Sequence, residues 1–176
     1  VNRGTDEEIL NGNIIGTSRL LESILNYGKS SAHLVFASSA QVYSLVNCKT
    51  PIRETKKASP DTVYGVSKQV AENLIRISGI PFTILRLSNV YGPGCRPNYN
   101  SVVATMCYRA ARGLPLVING DGRQGRDFIY VDDVVRAFVL AGFESMSGAE
   151  KIFNVSSGKM VSIKQIVKQV CRLHKN

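Results

Sequence analysis

The feature that most constrains the fold of this 176-residue chain is a regular alternation of two apolar patterns. Stretches with apolar residues at helical spacing alternate with short runs rich in β-branched residues, such as HLVFASSA (His33–Ala40) and PFTILRLS (Pro81–Ser88). This order is typical of a layered α/β domain, because crossover helices connect parallel strands and cover the sheet. We therefore expect an α/β fold with parallel strands.

The same patterns predict the bounds of the individual elements. Helices are expected over about 6–26, 61–78, 102–112 and 132–143 and from residue 162 onward, and strands over 33–40, 81–88, 114–118 and 151–155. Residues 89–94 and 119–127 are expected to form loops. Three helix ends carry a local signal: Gly28 as the C-cap of the first helix, Pro60 in the first turn of the second, and Asp132 as the cap of the fourth.

The charge balance suits several kinds of partner without deciding among them. The 22 Lys and Arg residues exceed the 13 Asp and Glu residues and give a net charge of +9. Such an excess favours anionic partners, among them nucleic acid and phosphorylated metabolites. A solvated basic surface is the simpler interpretation, and the chain has no recognition-helix or stacking-aromatic pattern, so we expect no nucleic-acid partner.

Apolar runs and cysteine spacing exclude other classes of protein. No apolar run approaches the ~20 residues of a membrane span, and the first residues carry no secretory pattern. The cysteines lie far apart, without the paired spacing of a zinc site, at Cys48, Cys95, Cys107 and Cys171. The two histidines likewise lack partners at metal-ligand spacing. The sequence therefore predicts a reduced, cytoplasmic protein with no membrane segment and no metal site.

One short motif suggests general-base chemistry. In Tyr64-Gly-Val-Ser-Lys68 the phenol and the ammonium lie four residues apart, on the same face of the predicted helix. An ammonium in that position stabilises a tyrosinate and lowers the pKa of the phenol, which then acts as a general base. The spacing alone is a weak signal, but its place near the start of a helix that follows a serine-ended strand strengthens it.

The serines at the end of the first strand belong to the same hypothesis. Ser38 and Ser39 lie at the edge where α/β sheets usually bind ligands. A serine hydroxyl there can hydrogen-bond a substrate oxygen and the phenol together. The alternative is a polar loop with capping serines.

Taken together, the motifs resemble those of a known family. VFASSAQVYS, YGVSK, LRLSNVYGPG, GDGRQGRDFIYVDDVVRA and FNVSSG occur in the order and spacing of the extended short-chain dehydrogenase/reductases. The most similar branch is the nucleotide-sugar epimerase/dehydratase group typified by UDP-glucose 4-epimerase, and Asn13–Ser23 resembles the helix before the serine strand. The resemblance implies a Rossmann-like doubly wound parallel sheet with part of a small substrate-binding domain.

The resemblance also implies roles for residues near the cofactor, which in this family is NAD. Tyr64 is similar to the catalytic base, and Lys68 to the residue that holds the nicotinamide ribose and lowers the pKa of the phenol. Ser39 matches the hydroxyl that binds the sugar oxygen. Asn13 matches an asparagine near the cofactor, and Ser38 lies in the strand end that lines the nicotinamide pocket.

Three further positions are implied to contact the diphosphate of a nucleotide-diphosphate sugar. Asn89 and Arg126 match residues with that contact, and the fork of an arginine suits phosphate oxygens. Ser101 is expected near the same group. The alternative for Arg126 is a surface ion pair with Asp127 or Asp121, and the alternative for Asn89 is a turn residue.

The residues after Ser39 discriminate among the reactions of the family. The implied chemistry is hydride transfer from a sugar carbon to NAD while Tyr64 removes the hydroxyl proton, followed by return of the hydride to the other face of the keto sugar. We count Ala40 and Gln41 among the expected substrate-binding residues. They occupy the positions at which the dehydratases of the family carry Asp-Glu. Neither side chain is an acid or a base, and the glutamate typical of the decarboxylases is absent too, so epimerisation is favoured over both reactions.

The printed sequence does not contain the Gly-rich turn between a strand and a helix that begins such cofactor domains. We therefore expect an internal fragment, with residues 1–92 forming the C-terminal half of the NAD-binding domain. Residues 93–176 would mix substrate-binding elements with returning strands and helices of the same sheet. Cofactor affinity should be weak, and the strand HLVFASS should leave an exposed sheet edge.

Two expectations concern assembly and the competing function. In the family, dimers form through helices that correspond to 6–26 and 61–78, so a homodimer is predicted. The alternative functions are a non-catalytic binding or dimerisation remnant of the same fold and a nucleotide-sugar dehydratase or decarboxylase.

Overall fold

The structure is a computed structural model that describes residues 3–29, 32–44, 51–143 and 150–174. Its helices and strands follow one another in this order: α1 (Asp6–Leu10), a π-helical turn (Asn11–Ile15), α2 (Gly16–Tyr27), β1 (Leu34–Ser39), a 3-10 turn (Ala40–Val42), α3 (Val63–Ile77), β2 (Phe82–Leu87), β3 (Asn89–Tyr91), α4 (Val102–Ala111), β4 (Gly125–Tyr130), α5 (Val131–Phe143), β5 (Lys151–Val155), β6 (Met160–Ser162) and α6 (Ile163–His174). None of the described helices has the length and apolar character needed to cross a bilayer.

The chain divides into two compact units, of which the first comprises residues 1–87 and 136–155. Its sheet has three parallel strands in the order β1-β2-β5, with Leu34 opposite Phe82 and Thr83 opposite Lys151. Among the described strands, β1 has a neighbour on one side only. This confirms the predicted parallel sheet, and the exposed edge expected at β1 stays a prediction.

The core of the first unit lies between this sheet and the helices α2 and α3. Leu21 of α2 and Ile75 of α3 pack with Ile80, Phe82 and Ile84, and all five side chains are buried. Half-buried apolar residues extend the cluster at Ile24, Leu34, Phe36, Leu74 and Ile152. Both helices therefore present their apolar faces to the central strand β2, as the helical spacing in the sequence predicts.

The second unit comprises residues 88–135 and 156–176. In its sheet, β4 pairs in parallel with β3 and antiparallel with β6. Helices α4 and α6 pack against each other through Met106, Ala110 and Val170. The prediction that residues 89–94 and 119–127 form loops is wrong for β3 and for the start of β4. These strands are short or rich in polar residues, so they lack a clear strand pattern.

Of the three predicted helix-end signals, one is confirmed and two differ. Gly28 is the C-cap of α2, where its N–H donates to the Ile24 carbonyl at 2.8 Å and a Cβ would collide with that oxygen. The cap of α3 is Thr62, whose hydroxyl accepts the Gly65 N–H at 3.0 Å, so the prediction that Pro60 lies in its first turn is wrong. Asp132 lies inside the first turn of α5 and is not its cap, because the helix begins at Val131.

The predicted strand at 114–118 is also wrong. These residues have no regular structure, and Leu114 and Val117 are exposed. Leu116 instead packs against the cluster between α4 and α6, and the Pro115 carbonyl accepts a hydrogen bond from Arg109. The predicted strand fails because Pro115 has no N–H to donate to a neighbouring strand. The apolar pattern of this segment instead reflects the packing of Leu116 against α4 and α6.

Candidate active site

The first turn of α3 lies against the segment that follows β1. Gly65 permits this approach, because a Cβ at its position would collide with the carbonyl oxygen of Gln41. The helix then presents Tyr64 and Lys68, one turn apart, towards the end of β1. The sequence thus brings the motif Tyr64–Lys68 together with the serine strand, as predicted.

Ser39 connects this strand end to the phenol. The Ser39 hydroxyl accepts the Gln41 N–H at 3.2 Å, and its polar interaction with the Tyr64 phenol favours the ionised form and lowers the pKa. Tyr64 is half-buried, and burial raises the pKa of its phenol above the ordinary 10.0 by more than Ser39 lowers it. The phenol therefore keeps its proton at neutral pH in the chain as described.

Lys68 lies beside the phenol but directs its ammonium elsewhere. Its Nζ donates a hydrogen bond to the carbonyl oxygen of Ala37 at 3.0 Å and lies 6.0 Å from the centre of the Tyr64 ring. Burial lowers the pKa of Lys68, and the carboxylate of Glu72 opposes that shift. In this arrangement the pKa of the Tyr64 phenol is raised, because desolvation outweighs the favourable interaction with Ser39. The lowering expected from Lys68 stays a prediction.

Ser38 and Asn13, expected beside the cofactor, are both buried among protein groups. The Ser38 hydroxyl donates to Oε1 of Glu72 at 2.6 Å, so it is engaged beneath α3. Asn13 lies in the π-helical turn and donates from Nδ2 to the Ser67 hydroxyl at 2.9 Å. That hydroxyl in turn donates to the backbone carbonyl of Tyr64 at 2.7 Å. Asn13 therefore holds the first turn of α3, and the cofactor contacts of both residues stay predictions.

Ala40 and Gln41 form the 3-10 turn directly after Ser39. Gln41 is exposed, and its Oε1 accepts a hydrogen bond from the Thr62 hydroxyl at 3.3 Å. This contact joins the turn to the cap of α3. Neither position supplies an acid or a base to the phenol of Tyr64.

The predicted diphosphate residues lie in the second unit. Asn89 begins β3 and donates from Nδ2 to the carbonyl oxygen of Asp127 at 3.0 Å. Arg126 is exposed on β4 and donates from Nη1 to the carbonyl oxygen of Gly125 at 2.9 Å. Asn89 is therefore attached to the strand that carries Arg126.

The alternatives considered for these residues differ in outcome. Within the described ranges, Arg126 forms no ion pair with Asp127 or Asp121: the Asp127 carboxylate accepts hydrogen bonds from Ser88 and Ser157, and Asp121 lies 3.7 Å from Arg123. Asn89 is a strand residue rather than a turn residue.

Ser101 has a structural role at the start of α4. It is buried, and its hydroxyl accepts the Ala104 N–H at 3.3 Å, which makes it the N-cap of that helix. Its contact with a diphosphate stays a prediction.

Sequence reasoning missed the buried ion pair behind the site. Glu72 and Arg86 are 1% and 3% exposed, and Arg86 donates to both carboxylate oxygens, at 2.9 and 2.6 Å. Two signals in the sequence point to it. Glu72 lies one helical turn after Lys68, and Arg86 interrupts the apolar run of a buried strand.

Comparisons with known proteins agree on one family. A family model described as the NAD dependent epimerase/dehydratase family matches residues 1–156. A putative UDP-glucose 4-epimerase of Methanocaldococcus jannaschii is 35% identical over 160 residues, covering 88% of this chain and 50% of that protein. The dTDP-glucose 4,6-dehydratase of Neisseria meningitidis is 30% identical over 182 residues, covering 97% of this chain and 50% of that protein. The chain therefore spans about half the length of these curated relatives.

Solved structures agree with the family model. The UDP-glucose 4-epimerase of Thermotoga maritima, solved with UDP-glucose, has a TM-score of 0.86 at 34% identity, covering 97% of this chain and 56% of that chain. The UDP-glucuronic acid 4-epimerase of Bacillus cereus, in complex with UDP-glucuronic acid and NAD, has a TM-score of 0.84 at 28% identity. The match covers 95% of this chain and 52% of that chain. The predicted Rossmann-like fold and family resemblance are confirmed, and the chain belongs to the NAD-dependent epimerase/dehydratase family.

Proposed function

We propose that this chain carries the proton-transfer and substrate-binding groups of an NAD-dependent nucleotide-sugar epimerase, with Tyr64 as the base. The observation that carries the proposal is the position of Lys68, whose Nζ lies 6.0 Å from the centre of the Tyr64 ring and donates to the Ala37 carbonyl on the strand that ends in Ser39. The family membership supports the same chemistry.

In this mechanism the Ser39 hydroxyl binds the sugar oxygen and orients it towards the phenol. Tyr64 removes the hydroxyl proton as the carbon is oxidised and returns a proton after the keto sugar has turned over. Because burial raises the pKa of Tyr64, the phenol needs added positive charge to ionise near neutral pH. Lys68 supplies that charge when its ammonium turns from the Ala37 carbonyl towards the phenol oxygen.

The chain's own groups fit a nicotinamide ribose beside Tyr64. An ammonium has three protons, and Lys68 gives one of them to the Ala37 carbonyl, which leaves donors suited to ribose hydroxyls. When bound, NAD supplies the acceptor, and later the donor, of the hydride exchanged with the sugar carbon. Lys68 would then hold the ribose, while Ser38 and Asn13 keep the strand end and helix start in place.

The proposed substrate is a nucleotide-diphosphate sugar. Arg126 is exposed, and its planar guanidinium suits the oxygens of a diphosphate. Asn89 is bonded to the same strand and is also exposed. Complexes of two similar enzymes with UDP-glucose and with UDP-glucuronic acid support this class of ligand.

Epimerisation is proposed over dehydration and decarboxylation. Relatives of this chain include a dehydratase and a decarboxylase as well as epimerases. Loss of water from the sugar needs an acid and a base next to the serine, and Ala40 and Gln41 supply neither.

We also propose a homodimer formed through helices 6–26 and 61–78. One face of α3 away from the sheet carries Val66, Val70 and Ile77 at helical spacing, and Ile77 is 80% exposed. On α2, Leu20 and Leu25 are also exposed. Exposed apolar side chains on two adjacent helices favour burial against a second copy.

The proposed compartment is the cytoplasm. The described cysteines Cys95, Cys107 and Cys171 are all free, as expected of a reducing compartment. Cys48 lies outside the described residues.

The test of the proposed function uses the natural polypeptide that contains this sequence. It is incubated with NAD and, in separate reactions, with UDP- and dTDP-sugars, and the products are separated by chromatography and identified by NMR. We expect a nucleotide sugar inverted at one carbon, with no loss of water. Failure of every nucleotide sugar and of NAD to bind in calorimetry would refute the proposal.

A non-catalytic binding or assembly module is the second candidate, and the raised pKa of Tyr64 favours it. It predicts that nucleotide-sugar binding or dimerisation persists while NAD does not bind. Calorimetry with NAD therefore separates the two functions.

A further inference from the structure

A continuous set of buried hydrogen bonds extends from α3 to both ends of the segment that carries Ser39. It begins at Glu72, which follows Tyr64 and Lys68 at intervals of four residues and so lies on the same face of the helix. Tyr64 and Lys68 are half-buried, whereas Glu72 is fully enclosed. The helix face that carries Tyr64 and Lys68 at the site therefore carries the buried carboxylate of Glu72 one turn further along.

The Glu72 carboxylate contacts the strand directly before Ser39. Its Oε1 accepts hydrogen bonds from the Ser38 hydroxyl at 2.6 Å and from Nε of Arg86 at 2.9 Å. Its Oε2 accepts one from Nη2 of Arg86 at 2.6 Å and lies 3.6 Å from Nη2 of Arg76. Helix α3 and the end of β1 are therefore joined through one carboxylate.

Arg86 extends the contact to the other end of the segment. Its Nη1 donates to the hydroxyl of Tyr43 at 2.6 Å, and this hydroxyl donates to Oδ1 of Asn154 on β5 at 2.9 Å. The Tyr43 side chain is 1% exposed. A tyrosine that follows the 3-10 turn at Ala40–Val42 is thus fixed to the centre of the sheet.

Together these bonds hold the Ser39 segment at two points. Ser38 lies immediately before it and is bound to Glu72, and Tyr43 lies immediately after the 3-10 turn and is bound to Arg86. Between the two points lies Ser39, whose side chain favours the ionised form of the Tyr64 phenol. Both points depend on the same ion pair.

We propose that the buried pair Glu72–Arg86 is the positioning element of the site, which keeps the Ser39 hydroxyl opposite the phenol of Tyr64 by holding Ser38 and Tyr43. The inference rests on the proposed function for its catalytic meaning, but the geometry it asserts is independent of any activity. A buried ion pair is not in itself a source of stability, because the cost of desolvation offsets the attraction. The role proposed for the pair is therefore to fix the Ser39 segment through its bonds to Ser38 and Tyr43.

The experiment releases one holding point at a time and leaves the pair intact. Ser38→Ala frees the strand end from Glu72, and Tyr43→Phe frees the residue after the turn from Arg86. In each variant, 3,5-difluorotyrosine is placed at position 64, so that the phenol ionises at a lower pH than tyrosine does and its 19F resonance reports this position alone. Ser39→Ala sets the shift that complete loss of the Ser39 hydroxyl produces.

We expect Ser39→Ala to raise the pKa of the labelled phenol by about one unit, because a hydrogen bond to the ionised form is lost. Ser38→Ala and Tyr43→Phe should each raise it by at least about half as much. Ser38→Thr, which keeps a hydroxyl at the holding point, should restore the value of the parent protein.

Thr83→Val is the matched control. It also removes a buried hydroxyl from the sheet, but one whose partner is His33, at the opposite end of β1 from Ser39. It should lower the melting temperature without moving the pKa of the labelled phenol. The proposal is overturned if Ser38→Ala and Tyr43→Phe fold and leave that pKa unchanged, or if Thr83→Val shifts it equally. Since the readout needs no substrate, failure of the proposed enzyme activity would leave this result interpretable.

Discussion

In the first unit the side chains of Ser39, Tyr64 and Lys68 are partly buried, whereas in the second unit Asn89 and Arg126 are exposed. Proton transfer needs groups held to within fractions of an ångström. Attraction of a diphosphate needs accessible donors and charge. The proposed roles follow the same contrast, with proton transfer assigned to groups of the first unit and substrate affinity to groups of the second.

The same contrast holds for the charged pairs of the two units. Glu72 and Arg86 meet at 2.6 Å with side chains 1% and 3% exposed, whereas Arg123 and Asp121 lie 3.7 Å apart with side chains 83% and 65% exposed. If one partner of the buried pair is removed, no water can solvate the remaining charge. In the exposed pair, water can solvate it. The difference gives four predictions, from the largest effect to the smallest.

The largest effect is expected when the buried pair is broken. Glu72→Gln leaves the Arg86 charge enclosed without a counter-charge, so the free energy of unfolding should fall by about 3–5 kcal/mol in urea titrations. Arg123→Gln, in the exposed pair, should change it by less than about 0.5 kcal/mol. Similar losses for the two substitutions would contradict the contrast between the units.

The second prediction separates affinity from chemistry. In the natural polypeptide, Arg126→Gln should weaken UDP binding about tenfold or more, since a charge-assisted hydrogen bond to phosphate is lost. Arg123→Gln removes an equal charge from the same unit and should change the dissociation constant by less than about twofold. Calorimetry measures both, and an unchanged affinity in Arg126→Gln would remove it from the substrate site.

The third prediction places the dimer contact in the first unit. Ile77→Asp should weaken dimerisation by about tenfold or more, because burial of an isoleucine side chain contributes about 1.5–3 kcal/mol. Leu173→Asp alters a 65%-exposed apolar residue on α6 of the second unit and should leave the dimer intact. Sedimentation velocity over a range of concentrations distinguishes the two, and a monomer at all concentrations in the parent protein would refute the dimer.

The smallest effect concerns the two histidines. Burial and the nearby charge of Lys151 lower the pKa of His33 from 6.5, so the folded state favours the neutral ring. The unfolded chain binds the proton more readily, and stability is therefore present above pH 6.5 and lost as the pH falls through the pKa of the folded state. His33→Gln should flatten this dependence in urea titrations between pH 7.5 and 5, whereas His174→Gln should preserve it.

The parts of the site that the sequence predicted are the local ones. Tyr64 and Lys68 share a helix face at four-residue spacing, and Ser39 ends a strand next to a turn, so each feature is contained in a few neighbouring residues. The alternation of helix and strand patterns likewise predicted the parallel sheet. Ser101 shows the limit of such reasoning, because a serine before a helix suits both a cap and a ligand contact, and its hydroxyl is used as a cap.

The parts that could not be predicted depend on residues distant in the sequence. Glu72 meets Arg86 across 14 residues, Arg86 meets Tyr43 across 43, and Tyr43 meets Asn154 across 111. No local pattern shows which of these polar side chains will share a buried space. The pKa of Tyr64 is raised by burial, which the four-residue spacing with Lys68 does not reveal.

The central claim is that Tyr64 exchanges the proton of the sugar hydroxyl, and one substitution tests it most directly. In the natural polypeptide, Tyr64→Phe removes only the phenol oxygen, and Tyr108→Phe makes the same change on α4 of the second unit. Tyr64→Phe should lower kcat for epimerisation by about a hundredfold or more, with nucleotide-sugar affinity within about twofold of the parent, and Tyr108→Phe should alter neither. An unchanged kcat in Tyr64→Phe would contradict the account.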